Sequence, residues 1–225
     1  MPSILLVRHG QASYGAEDYD LLSHLGHAQV KVLNAELQRE NVTLRRVAAG
    51  SMRRQKQTAT PVALSAGLEL RIDAAFDECD AAEILLAYST SQARLDGDGG
   101  PPSISSEEFQ QLLDPAFGLW VDAGSQSATA ESWPAFVDRT MGALTTFAAA
   151  LKSGETALIA TSGGVIAALC VRLLDLPDSA FVAFNRVAVN AALTRVVVGR
   201  RGMSLVSYNE HGYLVTPRRS LITYR

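Results

Sequence analysis

At 225 residues, with 48% hydrophobic and 19% charged residues, the chain is long enough to bury one sizeable core and has an ordinary globular composition, which excludes a disordered or collagen-like polymer. The net charge of −3, from 20 basic and 23 acidic residues, leaves no positive excess to release counterions and argues against a dedicated nucleic-acid or acidic-membrane binder. Among the basic residues Lys is confined to Lys31, Lys56 and Lys152, so Arg dominates. Bidentate phosphate recognition would give that bias, and so would a GC-rich coding sequence. Cys79 and Cys170 are too few for a disulfide framework and suit a reducing compartment. The apolar run Ile4 to Val7 stops at Arg8, far short of the ~20 residues of a membrane span, so the expectation is a cytoplasmic protein.

In chain order, Ile4 to Val7 reads as a buried strand. Ser23 is a plausible N-cap for a helix through about Arg39, with Leu25, Ala28, Val32, Ala35 and Leu37 as its apolar positions. Val42 to Ala48 reads as a second strand, Met52 to Leu64 as a helix disturbed by Pro61, and Leu68 to Ile72 as a third strand. A helix is expected over Ala81 to Tyr88, then a Ser, Gly, Asp and Pro-rich loop over Ser89 to Ser106. Helices resume over Ser105 to Leu113, with Ser105 and Glu108 in capping-box spacing, and over Trp133 to Lys152. Thr156 to Thr161 is a strongly apolar strand that Ser162-Gly163-Gly164 turns into a helix through about Leu174. Val187 to Val198 and Met203 to Tyr208 read as strands joined by a Gly-Arg-Arg-Gly hairpin turn. This alternation predicts an α/β protein, a three-layer α/β/α sandwich with a mostly parallel central sheet and a C-terminal hairpin. The expected organisation is a single domain over 1–225 with a lid-like insertion around 89–130. Ligands of such sheets sit at the carboxyl ends of the strands, so the residues after Val7, Ala48, Ile72 and Thr161 should meet at one crevice.

The first of those ends reads Arg8-His9-Gly10-Gln11. An Arg beside a His at a strand end does nothing for a sheet core, and the Gly lets the backbone turn and a ligand approach. A solvated loop His is the plain reading, and a histidine nucleophile beside a guanidinium that holds an oxyanion is the chemical one. Leu6-Val7-Arg8-His9-Gly10, then Leu22-Ser23-His24-Leu25-Gly26-His27-Ala28-Gln29, then Gly50-Ser51-Met52-Arg53-Arg54-Gln55-Lys56-Gln57-Thr58-Ala59 stand in an order and spacing that resembles the histidine phosphatase superfamily, the phosphoglycerate mutase-like group. The resemblance implies a phosphomonoester hydrolase with a phosphohistidine intermediate. It places the phosphoryl acceptor at His9, its flanking cation at Arg8 and a second cation at Arg54. A phosphomonoester carries close to two negative charges, so paired guanidinium forks suit it, and a neutral imidazole is nucleophilic near pH 7. Phosphate contacts are expected from Arg8, Gly10, Gln11, Arg54, Ser162 and Gly163. The partner is expected to be a small phosphorylated molecule, with no cofactor, metal, nucleic acid or membrane, and with a homodimer left open. The family's acidic residue maps onto Glu78 as general acid, with Asp80 or Asp77 as fallback. Glu131 and Arg139 resemble the family's Glu-Ser and later Arg, expected to be structural or at the rim.

After the fourth strand most members of that superfamily carry a His before the double Gly, and here Ser162 stands in its place. The loss of one such donor typically costs ~10²–10³ in rate. A weakened phosphatase and a catalytically silent phospho-ligand module of the same fold therefore both follow. Two further alternatives are an aspartyl-phosphate chemistry at Asp96-Gly97-Asp98 and a serine hydrolase using Ser162 in the run Ala160-Thr161-Ser162-Gly163-Gly164, one residue short of a nucleophile elbow. The elbow reading would take His211 and Asp175 or Asp178 as partners.

Overall fold

The computed structural model describes residues 1–13, 18–88, 106–215 and 221–224, with the side chains of 106–110 excepted. The apolar runs form the centre of a six-stranded sheet of order β3-β2-β4-β1-β5-β6, comprising β1 (Ser3–Arg8), β2 (Leu44–Ala49), β3 (Leu70–Ile72), β4 (Thr156–Thr161), β5 (Leu193–Gly199) and β6 (Gly202–Glu210). β1 to β4 run parallel, and β5 and β6 form the antiparallel hairpin. β1 and β4 bury every residue but the first because both faces of the sheet are covered, which is why they read as continuous rather than alternating apolar runs.

Successive residues of each strand feed opposite faces. Ile4, Leu6, Ala48 and Ile159 pack under α3 (Ala81–Tyr88), α4 (Ser106–Ala123), α5 (Trp133–Ala149), α6 (Gly163–Leu173) and α7 (Ala180–Val187). Leu5, Val7, Val47 and Leu158 pack under α1 (His24–Arg39) and α2 (Arg53–Ala66). The expected three-layer sandwich is thus formed. A short α8 (Gly212–Val215) lies against α1 through Leu214.

Several boundaries differ from expectation for physical reasons. On α1, Ser23 caps the first turn by accepting from the Gly26 amide, but the buried face is Val30, Leu33 and Leu37, and Ala35 is exposed. α2 continues through Pro61 and ends at Gly67 in the left-handed region. α4 runs on past Leu113 and Pro115, because Phe117 and Trp120 join Trp133, Phe136 and Phe181 in one aromatic cluster. The expected strand from Val187 is corrected to β5 from Leu193. Residues 180–187 form α7, and the amides of Ala191 and Ala192 bond to the carbonyls of Arg8 and Val189 instead of continuing a ladder. Residues 89–105, including Asp96 to Asp98 and the Ser105 half of the capping box, lie outside the described residues, and so does the first part of the expected lid, whose remainder from residue 106 is largely α4.

Candidate active site

The strand ends meet as the topology requires. The His9 amide donates to the Thr161 carbonyl at 2.8 Å, Gly50 to Ala160 at 3.2 Å and Asp73 to Ala49 at 2.9 Å. The Phe76 carbonyl, in the turn after β3, accepts from Thr161 Oγ1 at 2.6 Å and from Gln55 Nε2 at 3.1 Å. β4, α2 and the turn after β3 are therefore bound together behind the crevice.

His9 is 6% exposed, with Nδ1 2.8 Å from the Gly10 carbonyl. A carbonyl only accepts, so Nδ1 carries the proton of the neutral ring. Nε2 accepts from Arg54 Nε at 3.2 Å and is the lone-pair nitrogen. The two contacts select the same tautomer. Gly10 donates its amide to Thr58 Oγ1 at 3.0 Å, and a Cβ there would stand 2.7 Å from the Gly26 carbonyl. Close packing on α1 thus requires this glycine in addition to the turn itself.

Arg54, in the first turn of α2, holds Asp20 Oδ1 at 2.6 Å through Nη1 and lies 5.7 Å from the centre of the Tyr19 ring. Asp20 also accepts from the Arg53 amide at 2.7 Å, so this carboxylate fixes both the helix start and the guanidinium. Arg8 is 7% exposed. Its Nη1 donates to the Ala188 carbonyl and to the Tyr224 carbonyl, the latter at 2.5 Å, which anchors the guanidinium to the loop after α7 and to the chain's last described residues. The Gln11 side chain accepts from Ser23 Oγ at 2.9 Å, tying the loop after β1 to the α1 cap.

Glu78 reaches the amino end of α6, where Oε2 accepts from the Gly164 amide at 2.9 Å and Oε1 from the Cys79 amide at 3.2 Å. The two fallback acids do other work. Asp77 accepts from the Ser51 amide at 2.5 Å and from its hydroxyl, and exposed Asp80 caps α3 by accepting from the Glu83 amide at 2.9 Å. Arg139 forms a bidentate pair with Glu131 at 2.7 and 2.8 Å. Its Nη1 donates to the carbonyls of Ala75 and Asp77, both at 3.0 Å, so the pair clamps the segment that carries Glu78. Beside Glu78, burial pushes the Cys79 thiol well up, and the nearby carboxylate adds to the effect.

Ser162 is fully buried, and its Oγ accepts from Gln55 Nε2 at 2.9 Å. The orientation of the Gln55 amide is settled by its backbone partners: Nε2 must face the Phe76 carbonyl, and Oε1 accepts from the Met52 amide at 3.3 Å. Successive residues Arg54 and Gln55 thus hold His9 and Ser162. A nucleophile elbow needs an accessible hydroxyl beside a base, and Ser162 instead lies beneath a carboxamide. The double glycine answers its neighbours: a Cβ on Gly163 would come within 2.9 Å of Asn185 Oδ1 and 3.3 Å of Arg8 Nε, and one on Gly164 would collide with Glu78. Gln29, Gln55 and Thr58 stand in the motifs without a role assigned from the sequence, and Asp20 and Asn190 are site residues outside them. No local signal marked Gln29 and Gln55, because only the packing of α1 and α2 shows that they lie on buried faces. Among the described residues, no group of three or more His, Cys, Asp or Glu is placed to hold a metal, and no helix is long and apolar enough to cross a membrane.

The model of the histidine phosphatase superfamily (branch 1) matches residues 4–94 and 102–211, most of the chain. The chain belongs to this superfamily. Three solved structures show how far the histidine phosphatase fold extends here. A protein of Bacillus stearothermophilus, YhfR, superposes with a TM-score of 0.71 at 19% identity, over 95% of this chain and 100% of its own. A phosphoserine phosphatase mutant from Entamoeba histolytica, in complex with phosphoserine, gives 0.69 at 16% identity over 95% and 100%. The mycobacterial glucosyl-3-phosphoglycerate phosphatase gives 0.65 at 20% identity over 93% and 99%. No curated protein matches the sequence.

Proposed function

We propose that this histidine phosphatase is a phosphomonoester hydrolase acting through a phosphohistidine at His9. One observation carries the reading: the Gly10 carbonyl and Arg54 Nε together hold the His9 ring with its proton on Nδ1 and its lone pair on Nε2. The phosphoryl group enters between Arg54 and Arg8, and the Arg54 N–H moves from the imidazole to a phosphoryl oxygen. Nε2 then attacks phosphorus, the ester P–O bond breaks, and the leaving oxygen takes a proton from Glu78. In the second half Glu78 takes a proton from water, the resulting hydroxide attacks phosphorus, and the P–N bond breaks to give phosphate and free His9.

Ser162 enters as a buried neutral group at the position of a second imidazole, so the charge on the phosphoryl group falls to the two guanidiniums. Two unpaired cysteines support a cytoplasmic location, and one continuous six-stranded sheet supports a single-domain reading of the chain. Ser162 also favours a second reading, a module that binds a phospho-ligand without turning it over. Incubation with an aryl phosphate, an acid-free quench and mass-spectrometric mapping separate the two. An acid-labile phosphate on His9, absent in His9→Ala, is expected. Oxyanion binding with no modification selects the silent module, and label on Ser162 or Asp98 overturns the assignment.

A further inference from the structure

Two fully buried amides flank the His9 loop, and both lead to the same distant hydroxyl. Gln29, on α1, is wholly buried; its Oε1 accepts from the Gln11 amide at 2.8 Å, and its Nε2 donates to the Leu221 carbonyl and to Thr223 Oγ1, each at 2.7 Å. Asn190, 1% exposed, donates Nδ2 to the His9 carbonyl at 3.0 Å and accepts from Thr223 Oγ1 at 3.0 Å through Oδ1. No proton in this chain of contacts is ambiguous. The Leu221 and His9 carbonyls only accept and the Gln11 amide only donates, which fixes both side-chain amides. Gln29 must therefore donate to Thr223, and the Thr223 hydroxyl must pass its own proton to Asn190.

We propose that Thr223 is a positioning residue for the phosphoryl-accepting loop: its hydroxyl joins Gln29 to Asn190 and closes a hydrogen-bonded ring from the Gln11 amide to the His9 carbonyl. The ring takes in the segment 9–11 with groups contributed by α1, by the loop after α7 and by the last described residues of the chain. The consequence for catalysis rests on the reading of His9 as acceptor. The consequence for the loop does not. The segment 221–224 has other ties, since the Asn190 amide donates to the Thr223 carbonyl at 2.9 Å and Arg8 holds the Tyr224 carbonyl, so loss of the hydroxyl alone leaves the segment docked.

Thr223→Val keeps the shape and removes the hydroxyl, leaving a buried donor on Gln29 and a buried acceptor on Asn190 without their partner. Thr223→Ser keeps the hydroxyl and removes a methyl group. Amide hydrogen exchange reads the loop directly, without reference to activity. The Gln11 amide should exchange at least about tenfold faster in Thr223→Val. The amides of Leu5 and Leu158 in the sheet core should not change, and Thr223→Ser should exchange like the parent. If the parent turns over an aryl phosphate, kcat should fall about tenfold in Thr223→Val with KM little changed, and Thr223→Ser should restore it. Unchanged Gln11 exchange in Thr223→Val overturns the proposal. So does acceleration shared equally with the sheet core, or a Thr223→Ser variant as fast as Thr223→Val. A parent with no turnover sinks the phosphatase reading alone, because the exchange measurement still decides the ring.

Discussion

The substitution of Ser162 by His is the direct way to ask what the missing imidazole costs, and the packing says it cannot be made alone. Serine to histidine adds four non-hydrogen atoms at a residue with no exposed surface, whose Oγ already lies 2.9 Å from the Gln55 amide. That amide cannot swing aside, since it is pinned to the Phe76 carbonyl at 3.1 Å and the Met52 amide at 3.3 Å. Overpacking of this kind costs ~1–3 kcal/mol, which at this chain length lowers Tm by about 2–12 °C. Glutamine to alanine at residue 55 removes four non-hydrogen atoms from the same space, so the pair conserves volume. The Phe76 carbonyl keeps Thr161 Oγ1 as a partner. We expect Ser162→His alone to be destabilised and no faster than the parent. Ser162→His with Gln55→Ala should recover most of the Tm and gain turnover on an aryl phosphate, by up to the ~10²–10³ that one preorganised donor is worth. Thermal unfolding and steady-state kinetics on the four members of the cycle measure both. A single Ser162→His variant as stable as the parent would refute the packing argument, and a stable double variant without a gain would show that residue 162 does not limit the reaction.

Three further outcomes follow from the site. Glu78→Gln should slow alkyl phosphates far more than aryl phosphates, whose leaving groups need no proton, and Gly164→Ala should show the same selectivity because its Cβ displaces Glu78; equal losses on both substrates would make Glu78 structural. Asp20→Asn removes the carboxylate that competes for Arg54 Nη1 and should tighten vanadate binding by about two- to fivefold in titration calorimetry, whereas Arg54→Ala should weaken it; unchanged affinity in both would place the oxyanion elsewhere. Burial pushes the Cys170 thiol up to about 12 from 9.0, so the folded chain keeps a proton that the unfolded chain releases. The stability held below pH 9 is then lost as pH rises toward 12, at about 1.4 kcal/mol per pH unit, and Cys170→Ala should flatten that slope in denaturant titrations at stepped pH.

What the sequence made legible was whatever depends on local pattern. The apolar runs of β1 and β4, the Ser23 cap and the glycine turns of the hairpin each determine structure within a few residues, and they stand where the pattern put them. What it hid depends on partners far along the chain. Val187 and Val189 have strand-like propensity, but the Asn190 amide goes to the Thr223 carbonyl and the Ala191 amide to the carbonyls of Arg8 and His9, so the ladder starts only at Leu193. The helix expected to end at Leu113 runs on through Pro115, because burial of Phe117 and Trp120 in the aromatic cluster carries α4 to Ala123. In the site, Arg8 and His9 were visible because their types are chemically unusual at a strand end, and Arg54 and Glu78 through the resemblance of the motifs to the histidine phosphatase superfamily. Gln55 was not, because a glutamine in a helix is ordinary until its neighbour proves to be Ser162.

The double glycine bears on whether the site works. Its reasons lie in the groups around it: Arg8 and Asn185 crowd Gly163, and Glu78 lies on Gly164, so neither glycine depends on the identity of residue 162. At the amino end of α6 the Gly164 amide is taken by the protein's own carboxylate, and on the proposed reading the affinity for an oxyanion comes chiefly from Arg8 and Arg54. A module that merely held a phospho-ligand would need those two cations. It would gain nothing from a carboxylate brought to the same strand ends, which repels the ligand, nor from Arg139 clamping the carbonyls of the segment that carries it. An acid held close to an anion site at an electrostatic cost makes physical sense where a leaving group must be protonated, and that favours turnover over silent binding.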